Sequence, residues 1–403
     1  VQQAAPLRDE AVVVVDTFST GMVLAYLCHL KGYRVISLTS GDLQSLKGMI
    51  PEGCDFTFAE TISYPIELDE EAAFESLTAQ LSALPWPIAA ILPGAETGVE
   101  LADQLSSHFS LRTNGTAQSE ARRNKYVMGE TVRAAGIRAV KQLQSQTWNE
   151  IATFLQEWQP NPYRVIVKPM DSAGSDDVTL CRSEEEVQRA FGHILGKVNG
   201  LGLVNSSVLV QEYLEGQEYV VDMVSRDGEH KLVGLWEYDR RPANGASFVC
   251  HGQWHRIVSD DPDYYGQIVA YEKGVCTALG IRNGPSHGEV KWYQDAPILV
   301  EVGSRCHGSE GALMPVSDGV LTYNQVGATV ASYLSDSAFA QIPPLPTVRY
   351  QDGRLAFLIC HKSGTVRSIN AEILQEIRSL KSFVRMEMFL KPGQRMFPTI
   401  NCF

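Results

Sequence analysis

The sequence predicts an α/β protein of two or three domains, and three observations carry that expectation. The chain has 403 residues, enough to bury more than one core. Short apolar runs alternate with helix-like stretches through the first third. Beyond Ser119, further strand-like runs are separated by segments that open on helix-capping patterns. Strands alternating with helices favour a parallel sheet that binds ligands at the C-terminal ends of its strands.

Taken in order, residues 11–15 are a buried-strand run, and Ser19-Thr20-Gly21 opens a helical stretch through Leu30. Residues 33–38 form the next strand and 88–92 another, followed by Pro93-Gly94-Ala95-Glu96-Thr97-Gly98 and an amphipathic helix. Residues 119–136 read as a charged helix carrying Arg122, Arg123 and Lys125, ended by Gly136. Thr147-x-x-Glu150 and Ser183-x-x-Glu186 are capping boxes that start two more helices. Between these helices, residues 163–169 are a strand whose apolar run ends on Lys168. Residues 208–210 and 218–224 are strands around the turn Glu215-Gly216-Gln217. Pro343-Pro344-Leu345-Pro346 marks a linker into a tail with a strand at 355–360 and a short helix near 371–380.

Composition removes several function classes. With 34 basic against 47 acidic residues the net charge is −13, and no basic stripe interleaved with aromatics is present, which disfavours nucleic-acid binding. No apolar run approaches the ~20 residues needed to cross a bilayer. The run at 11–15 ends at Asp16 without a signal-peptide pattern. No nucleic-acid or membrane partner is therefore expected, and the setting is read as cytoplasmic. The chain opens on Val1 and closes on Phe403, and further residues at either end are allowed for. Eight cysteines show no C-x-x-C spacing. Four precede a histidine (Cys28, Cys250, Cys306 and Cys360), but neighbours on a strand point to opposite faces, so these pairs are read as coincidence.

The chemistry concentrates in the second half. Ser286–Tyr293 and Ile298–Arg305 read as strands, each with one acidic residue on an otherwise covered face. A hairpin with the loop Gln294-Asp295-Ala296 pairs Tyr293 with Pro297 and sets Glu289 opposite Glu301. Directly opposed side chains lie roughly 5 Å apart at Cβ, where like charges destabilise the sheet. A hard cation between them removes the conflict, and Mg²⁺ is usually held by one or two carboxylates plus phosphates. Two unrelated strand acids would fit the same spacing. Arg305 returns to the face of Glu301.

Lys168 precedes a loop of small residues, Ser172-Ala173-Gly174-Ser175, whose backbone N–H groups can turn toward an anion. A strand-end lysine beside an ordinary turn is the plainer alternative. In Gln211-Glu212-Tyr213-Leu214, the Glu212 carbonyl and Leu214 amide could meet an adenine edge, with Glu218 on the ribose. A hairpin with solvated glutamates would look the same. The dinucleotide fingerprint G-x-G-x-x-G and the Walker A loop are both absent.

Taken together, these segments resemble the ATP-grasp superfamily of carboxylate–amine ligases. The resemblance rests on Arg123-Asn124-Lys125, Val167-Lys168-Pro169, Gln211-Glu212-Tyr213-Leu214-Glu215-Gly216-x-Glu218, His287-Gly288-Glu289 and Glu301-Val302-Gly303-Ser304-Arg305, in that order. It is most similar to the L-amino acid ligase (dipeptide synthetase) branch. The resemblance implies a Rossmann-like N-terminal domain (1–118), an ATP-grasp lid subdomain (119–207), a C-terminal catalytic subdomain (208–342) and a small α/β tail (343–403). It further implies ATP and Mg²⁺, with Mn²⁺ as an alternative ion, bound by Lys125, Lys168, Ser172, Ala173, Gly174, Ser175, Gln211, Glu212, Leu214 and Glu218. Glu289 and Glu301 would hold the metal, and Arg305 would stabilise the phosphoryl group in flight. Many members carry Asn as a further ligand where this chain has Gly303. The substrates would be a small-molecule carboxylate and an amine, amino acids for this branch, and a homodimer is among the assemblies allowed. Arg240, Arg241, His307 and Gly308 are candidate substrate contacts. The loop at 171–177 is expected to close during turnover. A ligase for a non-amino-acid carboxylate and a non-catalytic ATP-binding regulator are the competing readings.

Overall fold

The computed structural model describes residues 4–43, 50–51, 53–170, 172, 176–200, 202–388 and 390–400. The first sheet grows from β1 (Ala11–Val15), whose residues are all buried. It is followed by α1 (Thr20–Leu30), β2 (Arg34–Thr39), β3 (Glu60–Ser63), α2 (Glu70–Ser82), β4 (Ile88–Pro93) and α3 (Val99–His108). Strand order is β3-β2-β1-β4, with parallel pairing throughout. Parallel strands need both faces covered. Val12 and Val14 accordingly pack on Leu24 and Cys28, while Val13 and Val15 pack on Leu77 and Leu105. At the C-terminal edge, Asp16 accepts bonds from Ser40 N at 2.8 Å and Thr97 Oγ1 at 2.5 Å. These bonds fix the loop after β4 that carries Glu96.

The helix expected from Ser119 starts later. Residues Glu120–Arg122 form a separate 3-10 turn. Asn124 Oδ1 then accepts from the amides of Tyr126 and Val127 and starts α4 (Lys125–Ala134). Asparagine is a strong N-cap residue, and here it sets Lys125 on the first turn. Next come β5 (Gln142–Ser145), α5 (Trp148–Trp158), β6 (Val165–Pro169), β7 (Thr179–Cys181), α6 (Glu184–Ile194) and β8 (Val208–Glu212). They make an antiparallel sheet, β5-β8-β6-β7, packed against α5 and α6. Ser183 caps α6 as its box predicts, accepting from Glu186 N at 3.3 Å. Thr147 makes no such bond among the described residues; Ser145 Oγ meets Glu150 instead.

The third sheet contains β9 (Glu218–Arg226), β10 (Glu229–Ala243), β11 (Ala246–Arg256), β12 (Gly284–Tyr293), β13 (Ala296–Gly303) and β14 (Arg354–Ala356). Its order is β13-β12-β9-β10-β11-β14. Helix α7 (Pro262–Ala278) supplies much of its core through Ile268, Val269 and Val275, and α8 (Met314–Leu321), α9 (Gln325–Leu334) and α10 (Asp336–Gln341) follow β13. The tail strand expected at 355–360 is the short β14, which pairs with β11. The last elements are β15 (Gly364–Thr365), α11 (Ala371–Ser379) and β16 (Arg395–Met396).

Two expectations about connections change. Strands β8 and β9 are not hairpin partners, since β8 lies between β5 and β6 and β9 between β12 and β10. Glu215-Gly216-Gln217 is therefore the crossover between two sheets. Gly216 sits at φ 127°, and a Cβ there would strike the Trp292 carbonyl oxygen. In the β12–β13 hairpin Tyr293 pairs with Ala296, not Pro297, because Gln294 and Asp295 alone form the turn with φ 51° and 60°. An extra residue in β13, Val300, then restores the pairing of Glu289 with Glu301.

Among the described residues, the cysteines are free thiols and no helix is long and apolar enough to cross a membrane.

Candidate active site

A cavity of about 530 Å³ draws its lining from strands of the second and third sheets and from loops at the C-terminal edge of the first, including Glu96, Lys168, Gln211, Glu218 and Glu289. Its acidic wall is the β12–β13 pair. Glu289 Oε1 accepts from Tyr238 Oη at 3.2 Å and lies 3.5 Å from Arg240 Nη2 and 3.6 Å from His287 Nε2. Burial alone would raise the Glu289 pKa. The hydrogen bond from His287 and the charge of Arg240 outweigh it and hold the carboxyl well below the usual range. Opposite it, Glu301 Oε2 lies 3.1 Å from Lys125 Nζ. Two opposed carboxylates, one firmly ionised, are a donor set suited to a hard divalent cation.

Two lysines approach this wall, Lys125 from the first turn of α4 and Lys168 from β6 of the second sheet. Lys125 Nζ also donates to the Ser172 carbonyl at 2.6 Å. Lys168 is 5% exposed. Burial, aided by the charge of Lys125, pushes its pKa down to about 8 against the pull of Glu301. Ser172 Oγ donates to Asp176 at 2.8 Å. The expected phosphate-loop residues Ala173, Gly174 and Ser175 lie outside the described residues.

Arg305 reaches the cavity from the end of β13 with its Nε 2.9 Å from Glu96 Oε2, and Arg123 Nη1 donates to Glu96 Oε1 at 2.8 Å. Burial would raise the Glu96 pKa, but these two arginines bring it down to about 2. A Cβ on Gly303 would come within 2.5 Å of Glu96 Oε2 and 3.2 Å of the Arg305 guanidinium carbon. The glycine thus leaves room for a carboxylate delivered by the segment that follows β4. Sequence reasoning missed Glu96; its one signal was its place in the loop at the C-terminal edge of the first sheet.

The remaining wall mixes apolar and polar groups. Val140, Leu214 and Ile298 form a small buried cluster, flanked by Val300. Gln211 Nε2 donates to Gln142 Oε1 at 2.7 Å, and Lys291 Nζ donates to the Leu214 carbonyl at 3.2 Å. Glu212 also lines the cavity, and its carboxylate accepts from Lys141 N at 3.2 Å. Glu218 is ion-paired to Arg240 Nε at 2.6 Å and lies 3.6 Å from Lys291.

The candidate substrate residues divide. Arg240 lines the cavity, but its guanidinium spans Glu218 and Glu289. Arg241 is outside the lining, with a side chain 61% exposed and paired to Asp239 at 2.8 Å. His307 and Gly308 both line the cavity, and the Gly308 carbonyl accepts from Thr20 Oγ1 at 3.0 Å. Asp222, which the sequence did not point to, and His287, which figured there only within the His287-Gly288-Glu289 motif, sit beside His307.

Residues 161–312 match the ATP-grasp domain family. The chain is 31% identical to dapdiamide A synthase of Enterobacter agglomerans over 333 residues, covering 82% of this chain and 75% of that protein. It is 21% identical to the L-arginine-specific L-amino acid ligase of Bacillus subtilis, covering 76% of this chain and 71% of that one. The fold is similar to the crystal structure of L-amino acid ligase from Bacillus licheniformis. The TM-score is 0.73 at 17% identity, covering 97% of this chain and 90% of that one.

Proposed function

The chain belongs to the ATP-grasp family, and from that premise we propose that it joins the carboxylate of one amino acid to the amine of another. The product is a dipeptide or similar amide, released with ADP and phosphate. The observation that carries this reading is the arrangement of Glu289 and Glu301 in register, with Lys125, Lys168 and Arg305 lining the same cavity. The names of the two curated relatives, a dapdiamide synthase and an amino acid ligase, agree with amide formation.

A carboxylate in water is a poor electrophile, so the γ-phosphoryl group of ATP is first transferred to it, giving an acyl phosphate. Lys125 and Lys168 offset the phosphate charge, and the Ser172 segment covers the phosphates. Arg305, held by Glu96, meets charge on the phosphoryl oxygens as it is transferred. Glu289 and Glu301 suit Mg²⁺, or Mn²⁺ in its place, which when bound would offset charge on the β- and γ-phosphates. The apolar cluster at Leu214 takes the adenine ring, with Gln211, Glu212 and Leu214 at its edge and Glu218 at the ribose. Lining drawn from two sheets and from the loops of the first excludes water from an acyl phosphate that hydrolyses readily. In this reading residues 1–118 are the Rossmann-like domain, 119–207 the lid, 208–342 the catalytic part, whose first strand β8 pairs into the lid sheet, and 343–403 the tail.

The test is an ADP-release screen over pairs of amino acids and other carboxylates and amines, with Mg²⁺ present. One ADP per amide formed, requiring both substrates, is expected. Binding of ATP without ADP release for any pair would instead favour a regulatory nucleotide-binding protein.

A further inference from the structure

Asp222, on the central strand β9, accepts three hydrogen bonds. Trp236 Nε1 donates at 2.8 Å, His287 Nδ1 lies at 3.1 Å and His307 Nδ1 at 3.0 Å. An ionised carboxylate only accepts, so both imidazoles present a protonated Nδ1 to it. Their other nitrogens differ. His287 Nε2 faces a second carboxylate, Glu289, at 3.6 Å. His307 Nε2 has no hydrogen-bond partner among the described residues, and His307 lines the cavity two positions beyond Arg305. The residue is also anchored through its main chain. Its backbone N–H donates to Gln325 Oε1 at 2.7 Å, and Gln325 Nε2 donates to the Ser286 carbonyl at 2.8 Å.

We infer that Asp222 and His307 form a base dyad that takes a proton from the attacking amine, an inference that rests on the ligase reading above. An amino group in water is largely an ammonium ion with no lone pair to attack. It transfers one proton to His307 Nε2, and the imidazolium is stabilised by Asp222. The free amine then forms the C–N bond as the C–O bond to phosphorus breaks, phosphate leaving with the electron pair. The second nitrogen proton goes to the departing phosphate.

The charged and titratable groups around His307 are Asp222 on β9, His287 on β12 and Arg305 on its own loop, with His255 on β11 behind Trp236. Burial, together with the charge of His287, pushes the His307 pKa down to about 4, which keeps it neutral. The His287 ring lies 4.0 Å away with its Nε2 toward Glu289, which leaves His307 as the imidazole whose Nε2 is uncommitted. Phosphates in the same cavity add negative charge, which raises His307 toward the range a base needs.

The test separates the two half-reactions in His307→Asn and His307→Gln. Hydroxylamine is mostly uncharged at neutral pH and traps the acyl phosphate as a hydroxamate without needing a base. Both variants should keep hydroxamate formation while losing amine-dependent amide formation by about 100-fold or more. That loss should shrink as pH rises through the pKa of the amine substrate. Amide formation near the wild-type rate would overturn the inference, as would equal loss of both half-reactions in both variants. So would one equivalent of tightly held transition metal in wild type that is absent from His307→Asn, because the three side chains would then be a metal site. Wild-type protein that makes no hydroxamate with any acid would overturn the ligase reading and the dyad with it.

Discussion

Glu289 lies opposite Glu301 because β13 carries one more residue than β12 between that pair and the turn. A one-residue change of register moves a strand's side chains to the other face of the sheet. The Val300 bulge is therefore what turns Glu301 toward the cavity. Glu289→Gln and Glu301→Gln should each lower ADP formation by about 100-fold or more while the fold is retained. Steady-state ADP release with circular dichroism as the control checks this. Unchanged turnover in either variant would remove that glutamate from the metal set.

Glu96 occupies the space that a side chain at position 303 would need. Gly303→Asn should therefore break the Glu96–Arg305 pair and lower kcat, even though asparagine is itself a metal-binding residue. Gly303→Asn combined with Glu96→Ala should recover part of the loss, since the collision is gone. A double-mutant cycle on kcat measures the coupling. Additive losses would contradict the steric account.

Arg240 and Arg241 are neighbours in sequence with opposite expected behaviour. Arg240→Ala leaves Glu218 and Glu289 without the cation between them, which should cost about 3–5 kcal/mol of stability in urea unfolding. Arg241→Ala removes an exposed pair and should stay within about 0.5 kcal/mol. If Arg240→Ala changes only the KM for the carboxylate substrate, Arg240 is a substrate contact after all.

Glu272 of α7 is fully buried, and its Oε2 has no hydrogen-bond partner among the described residues. Burial raises its pKa from 4.5 to about 8. Across that window the folded protein keeps a proton that the unfolded chain has released. The associated stability is complete below the unfolded value and is lost as pH rises through the folded one. Glu272→Gln cannot titrate, so its stability relative to wild type should rise with pH by on the order of a few kcal/mol. Urea unfolding at about pH 5 and about pH 8.5 tests this; parallel curves would show that Glu272 is ionised in the fold.

Residues that act through their own local sequence were the legible ones. The valine run of β1, the end of β6 at Lys168 and the helix at Ala371–Ser379 fall where apolar runs and capping residues put them. The opposed glutamates were also reached, but through a three-residue loop where the chain uses a two-residue turn and a bulge. Neither change has a strong local signature, and the two cancel at Glu289. Sheet membership was less legible: 208–210 and 218–224 look like strands around one turn, and only tertiary packing sends them to different sheets. Hidden entirely were partnerships across long separations. Asp222 meets residues 65 and 85 positions away. Glu96 reaches Arg305 from the loop after β4, and nothing in either local stretch announces the other.

In the ligase reading, ATP activates a carboxylate as an acyl phosphate. This step is tested most directly by supplying the carboxylate substrate labelled with ¹⁸O in both oxygens and analysing the released phosphate by mass spectrometry. One ¹⁸O per phosphate is the predicted result, because the attacking carboxylate oxygen leaves on phosphorus when the amide forms. Unlabelled phosphate alongside amide product, or label appearing in AMP, would contradict it.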